Sequence, residues 1–200
     1  KFFLLEALRV PGNLIQLYPQ NNVAKGTWAL RWHKEKHPDR DKPISEIRWH
    51  RALDNIDMNE LFLWTTNVLE NDRIPEVMII DDEASIVSYE LSVANPNGNQ
   101  TFDYSNDITR SHIGINTRFG IRINSIEQSL IQNEITSEHS IVLLDLINRG
   151  LVIRSGFKYG ALWRGYETNV GEDHAPWLID TAIEAPVNWT QACLNARLAA

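Results

Sequence analysis

Apolar positions recur at helical spacing in four stretches of this 200-residue chain: around FLLEAL (3–8), over MNELFLWTTNVLE (58–70), around SIEQSLIQNEI (125–135), and in the run that ends near Gly150. This spacing predicts amphipathic helices. Asp57 stands directly before the second stretch and Thr136 or Ser137 before the fourth, and all are residue types that cap helix N-termini. Asn188 precedes a fifth candidate helix, WTQACLNARLAA. Between them lie short β-rich runs: WALRW (28–32), EIRWHRA (46–52), EVMII (76–80), IVSYEL (86–91), FGIRI (119–123) and ALWRGY (161–166). The two runs around the polar turn DDEAS (81–85) read as a hairpin or closely spaced strand pair. The class is mixed α/β.

The order of these runs repeats. FLLEALRVPGNLIQL (3–17) resembles VLLDLINRGLVIRS (142–155): a short helix, a glycine stop, then a β-rich run. An aromatic strand, a polar loop, a second Trp-bearing segment and a capped helix follow in both copies. The seven Trp are clumped accordingly, at 28, 32, 49 and 64, then at 163, 177 and 189. A period of roughly 140 residues describes a duplicated domain and not a solenoid. The expected organisation is a first copy over 1–93, a Pro/Gly/Asn linker over 94–100, a small α/β domain over 101–136, and a second copy over 137–200.

Composition narrows the function classes. No apolar run approaches the ~20 residues of a membrane-spanning helix. With 19 Lys+Arg against 26 Asp+Glu the formal charge is −7, which argues against a protein that coats nucleic acid non-specifically but leaves room for a local basic site. The single cysteine, Cys193, cannot form an internal disulfide, and a thiol-poor chain fits a reducing, cytoplasmic setting.

The densest chemistry lies in GFKYGALWRGYETNVGEDHAPWLI (156–179). Tyr166 ends one strand run and His174 opens the next, a spacing that lets both side chains converge at one end of a sheet. A Tyr/His pair without a carboxylate-rich ligand set suggests acid–base chemistry without a metal. Residue types alone leave packing, for a strand-end tyrosine, and solvation, for a loop histidine, as the commoner readings. His33 and His37 are four apart, but Pro38 follows directly and no third ligand is obvious. They read as part of a charged loop, and no metal or cofactor is expected.

The segments Arg149-Gly150, SGFKYG (155–160), Trp163, Tyr166, Asp173-His174-Ala175 and Leu178-Ile179 occur in order. Together they resemble the catalytic repeat of the archaeal tRNA-splicing (tRNA-intron) endonuclease family, in its two-repeat form. The first copy is similar to a degenerate, non-catalytic repeat, with Trp32 at the tyrosine position, Ile47 at the histidine position and Arg73 near a lysine position. Residues 101–150 resemble the family's small N-terminal domain. On this resemblance the chain is expected to be a fragment truncated at both ends.

The resemblance implies metal-independent cleavage of precursor tRNA at bulge–helix–bulge splice sites, leaving a 2′,3′-cyclic phosphate and a 5′-OH. It implies Tyr166 as base, His174 as acid, and Arg197 as a residue that stacks on an RNA base. Free histidine titrates near ~6.5, which suits acid duty, and free tyrosine near ~10. Lys158, Tyr159 and Arg164 stand close by in sequence, without an implied role. A catalytic lysine is implied seven residues after Arg197, at position 204, so residues 1–200 alone are expected to be impaired. Asp81, Asp82 and Glu83 match an acidic assembly loop, and the implied assembly is a homodimer of pseudo-tetrameric shape. The alternative function is a non-catalytic structural subunit that holds the assembly and RNA.

Overall fold

The computed structural model describes residues 1–100, 113–168, 170 and 174–199. The chain divides into two compact units. The first comprises Lys1–Ala94 with Pro186–Cys193, the second Asn95–Ala185 with Leu194–Ala200.

The first unit is built on one five-stranded mixed sheet. Its elements are α1 (Phe2–Arg9), β1 (Leu14–Leu17), β2 (Ala29–Trp32), β3 (Ser45–Arg51), α2 (Met58–Glu70), β4 (Ile74–Ile80) and β5 (Ile86–Glu90), and the strands lie in sequence order. Three of the four pairings are antiparallel, and β3–β4 is parallel. Two consecutive parallel strands need a crossover, and α2 supplies it. The helix begins where Asp57 accepts a hydrogen bond from the Glu60 amide at 2.9 Å.

Both faces of this sheet are covered, and β4 alternates between them. Met78 joins Leu4 and Leu8 of α1, with Trp28, Ala29 and Ile47, on one face. Val77 and Ile79 join Trp64 and Val68 of α2, with Trp189, on the other. Full burial of a side chain such as Leu4 or Val68 stabilises by roughly 1.5–3 kcal/mol. The α1 face also carries a polar ladder, in which Arg31 on β2 pairs with Glu76 on β4 at 2.8 Å. Ser45 on β3 and Ser88 on β5 donate to the same carboxylate at 3.1 and 2.9 Å. Side chains from three strands thus satisfy the buried charge carried by a fourth.

In the second unit β6 (Ile115–Thr117) and β7 (Gly120–Arg122) form a hairpin, and α3 (Ser125–Ile131) and α4 (Glu138–Asn148) follow. Both helices start with capping boxes, Asn124 with Glu127 and Ser137 with Ser140. A meander of β8 (Val152–Ser155), β9 (Trp163–Tyr166) and β10 (Trp177–Ile179) comes next, with β9 in the centre. Leu130, Leu143, Leu146 and Ile147 of the helices pack on Ile153 and Trp163. Helix α5 (Trp189–Ala199) closes the chain.

Gly150 stops α4 with φ +79°, a conformation that favours glycine. A side chain there would also meet the Gly98 carbonyl oxygen at 2.5 Å. That close approach arises because the Pro/Gly/Asn stretch is tied down. The Gly98 and Gln100 amides donate to the carbonyls of Arg149 and Gly150, and the Asn99 amide donates to that of Glu167. Residues 101–112, the first part of the small domain expected from sequence, lie outside the described residues.

The two copies expected from sequence share one order of elements. α1–β1–β2–β3–α2 and α4–β8–β9–β10–α5 are both a helix, a three-strand antiparallel meander and a second helix. Gly12 and Gly150 hold the same place, two residues before β1 and β8, both at positive φ.

Candidate active site

Strand β9 sorts its side chains by alternation. Trp163 faces the helical core. Gly165 lies on that same face, and a side chain there would press on Ile179 at 3.1 Å. Arg164 and Tyr166 therefore point to the opposite face, where Leu178 is the cross-strand neighbour of Arg164. On that face lies a cavity of about 320 Å³. Tyr159, Arg164, Tyr166, Val170, His174, Ala175, Leu178 and Leu198 line it.

The structure thus brings Tyr166 and His174 to one cavity. Tyr166 is the buried last residue of β9, and His174 is an exposed residue three positions before β10. Asp173, which completes the motif in sequence, lies outside the described residues. Arg164 supplies positive charge to the same wall. Its Nε donates to the Ser155 carbonyl at 3.0 Å, and its guanidinium lies 5.0 Å from the Tyr159 ring centroid and 5.8 Å from that of Tyr166. On one cavity, a phenol and an imidazole can exchange protons with a bound group, and a guanidinium can attract an anion.

Other residues singled out in sequence stand apart from this cavity. Lys158 is exposed in the 3-10 turn Phe157–Tyr159, between β8 and β9. Arg197 is exposed in the last turn of α5, beside the cavity-lining Leu198. Asp81, Asp82 and Glu83 form the exposed tip of the β4–β5 hairpin. Asp81 is partly committed there, since its Oδ1 accepts the amides of Glu83 and Ser85 at 3.0 and 2.7 Å. In the 33–42 loop, His37 Nδ1 accepts the Asp39 amide at 3.2 Å and Asp41 accepts the His37 amide at 2.7 Å. Those bonds shape a turn.

Strand register allows the two copies to be compared place by place. Leu14 pairs with Trp32 as Val152 pairs with Tyr166, which sets Trp32 in the tyrosine position. Ala29 pairs with Ile47 as Trp163 pairs with Ile179. Ile47 therefore corresponds to Ile179, on the α1 face, and not to the histidine. Continued past the strand ends, the same registers put Lys42 in the place of His174. Glu46, opposite Leu30, takes the place of Leu178.

Sequence reasoning did not find what fills that place. Glu46 is fully buried and pairs with Arg73 at 2.7 Å. It also accepts from the Ala24 amide at 2.9 Å and the Thr27 hydroxyl at 2.6 Å. The Trp64 indole donates to that hydroxyl at 3.0 Å. The only hint in sequence was an acid in the middle of an otherwise strand-like run.

Comparison with known proteins bears on the second copy. Residues 137–200 match the family profile described as tRNA intron endonuclease, catalytic C-terminal domain. The chain is also similar to a tRNA-splicing endonuclease of Picrophilus torridus, 29% identical over 113 residues. That match covers 50% of this chain and spans 39% of the relative's length. Both similarities point to tRNA-splicing endonucleases.

Proposed function

We propose that this chain is part of a tRNA-splicing endonuclease and cleaves intron-containing precursor tRNA at bulge–helix–bulge splice sites. The observation that carries the reading is the meeting of Tyr166 and His174 on one cavity, within the stretch similar to the family's catalytic domain. Residues 137–200 are then the catalytic copy, 101–136 the small N-terminal-type domain, and 1–93 a non-catalytic copy.

RNA carries its own nucleophile. Tyr166 takes the proton of the 2′-OH, whose oxygen attacks the adjacent phosphorus. The bond from phosphorus to the 5′-oxygen breaks, and His174 gives that oxygen its proton. The products are a 2′,3′-cyclic phosphate and a 5′-OH, and the step calls for no metal-bound water. Arg164, on the same cavity, attracts the phosphate. Arg197 stacks on an RNA base, which suits a planar guanidinium. The acidic tip Asp81–Glu83 docks on a partner copy, where opposite charge fixes register. The working form is a homodimer in the cytoplasm.

The test is cleavage of a bulge–helix–bulge RNA in EDTA by the full-length protein, with analysis of the product ends. Tyr166→Phe and His174→Ala should each slow cleavage by about 10²–10⁴-fold. Unchanged rates in both folded variants would overturn the assignment.

A further inference from the structure

We propose that Phe157 is a stacking platform for an unpaired RNA base, on the turn whose Tyr159 lines the Tyr166–His174 cavity. The inference rests on the functional reading above and names a contact that it lacks.

Phe157 is 87% exposed, the most exposed large apolar side chain among the described residues. An aromatic ring held in water forgoes the stabilisation of burial unless something covers it. The turn that carries it is firmly built. The Tyr159 amide donates to the Gly156 carbonyl at 2.7 Å, and the Gly160 amide to that of Phe157 at 3.4 Å. Gly160 takes a left-handed conformation, φ +70°. A side chain at Gly156 would meet the Ala161 carbonyl oxygen at 2.6 Å and that of Trp163 at 2.9 Å. The ring is therefore presented on a fixed backbone, and binding to it costs little ordering entropy.

Its surroundings select the occupant. Along the chain Phe157 is flanked by Gly156 and exposed Lys158, with Ser155 before them and exposed Tyr159 after. Exposed Lys158 follows Phe157 directly, and Tyr159, two residues on, lines the cavity and carries the Arg164 guanidinium. An aromatic face beside cations is what single-stranded nucleic acid uses, with the base on the ring and the phosphate on the charge. Phenylalanine has no hydrogen-bonding group on its ring, so the contact tolerates any base.

The test measures binding of full-length protein to two RNAs, one with unpaired bulge nucleotides and one a fully paired duplex, by fluorescence anisotropy. Phe157→Ala should weaken binding to the bulged RNA by about tenfold, within the range for loss of one stacked base, and leave the duplex unchanged. Phe157→Trp should restore bulge binding. 2-Aminopurine in the bulge should be quenched by the wild type and by Phe157→Trp, but not by Phe157→Ala. Equal bulge affinity and equal quenching in the wild type and Phe157→Ala would overturn the platform while leaving the cleavage assignment intact. A changed oligomeric state in Phe157→Ala with unchanged RNA affinity would make the ring a protein contact and also overturn it. Failure of the wild type to bind or cleave the bulged RNA would overturn both readings.

Discussion

Arg73 donates to Glu46 at 2.7 Å in the first copy, and strand register sets Glu46 where the second copy has cavity-lining Leu178. The same face of the same meander thus holds a fixed ion pair in one copy and an open site in the other. Glu46 is wholly buried, and its carboxylate also accepts two further hydrogen bonds.

Removing one partner of a buried pair leaves an uncompensated charge, which costs about 3–5 kcal/mol. Arg73→Met should lower the unfolding free energy by that order, measured by urea denaturation. Replacing both partners with apolar groups, as in Glu46→Leu with Arg73→Met, should recover much of the loss. A double variant as unstable as the single would show that the other Glu46 bonds, to Ala24 and Thr27, dominate.

Stability should also depend on pH through His50. Its ring stacks on Trp189 with centroids 4.7 Å apart, and its Nε2 is buried without a hydrogen-bond partner. Burial first, then the nearby Arg48 charge, holds its pKa below the ordinary value, against the opposing pull of Asp54 and Glu60. The folded state therefore favours the neutral ring, and the unfolded chain binds the extra proton near ~6.5. The His50 contribution is complete above that pH and is lost as pH falls through it toward the lower folded value. His50→Phe keeps the stacking and should flatten the fall in urea midpoint between about pH 7 and pH 5. An unaltered fall would assign the effect to other groups.

Gly150 combines positive φ with a close approach to the Gly98 carbonyl. Gly150→Ala should destabilise by more than the roughly 1 kcal/mol of an unfavourable backbone angle alone, because the 98–100 segment must also move. Thermal unfolding checks this. A loss near zero would mean that the segment yields freely.

At the β4–β5 tip, Asp81 is held in the turn, whereas Asp82 and Glu83 are exposed. Reversing charge at Asp82 and Glu83 should weaken the proposed dimer by tenfold or more, read by light scattering across a dilution series, with the far-ultraviolet circular dichroism spectrum unchanged. An unaltered monomer–dimer balance would reduce the tip to a solvated hairpin.

Much of the fold was legible because its signals are local. Asp57, Ser137 and the 3.6-residue periodicity mark helices by contacts within a few residues, and the structure has α2 and α4 at those places. Helix α3 is shorter than its apolar pattern suggested. It ends at Ile131, and Asn133 takes a left-handed conformation. Pairing across the sheet was harder to read. Counting along the chain put Ile47 at the histidine position, but loops between strands change length while a ladder keeps its register, and the ladder sets Ile47 in the place of Ile179. The Glu46–Arg73 pair joins residues 27 apart, and no periodicity signals it. That Tyr166 and His174 share one cavity followed from their short separation in sequence, eight residues apart at the ends of neighbouring strand runs.

Trp189 sits in the apolar core against α2, although the rest of that unit ends at Ala94. On a ribosome the first five strands emerge long before this tryptophan does. At typical synthesis rates the gap of roughly ninety residues lasts about 5–20 s. Through that interval the nascent unit carries an unfilled hole beside Trp64 and Val68, and a newly made chain is then most exposed to chaperones and proteases.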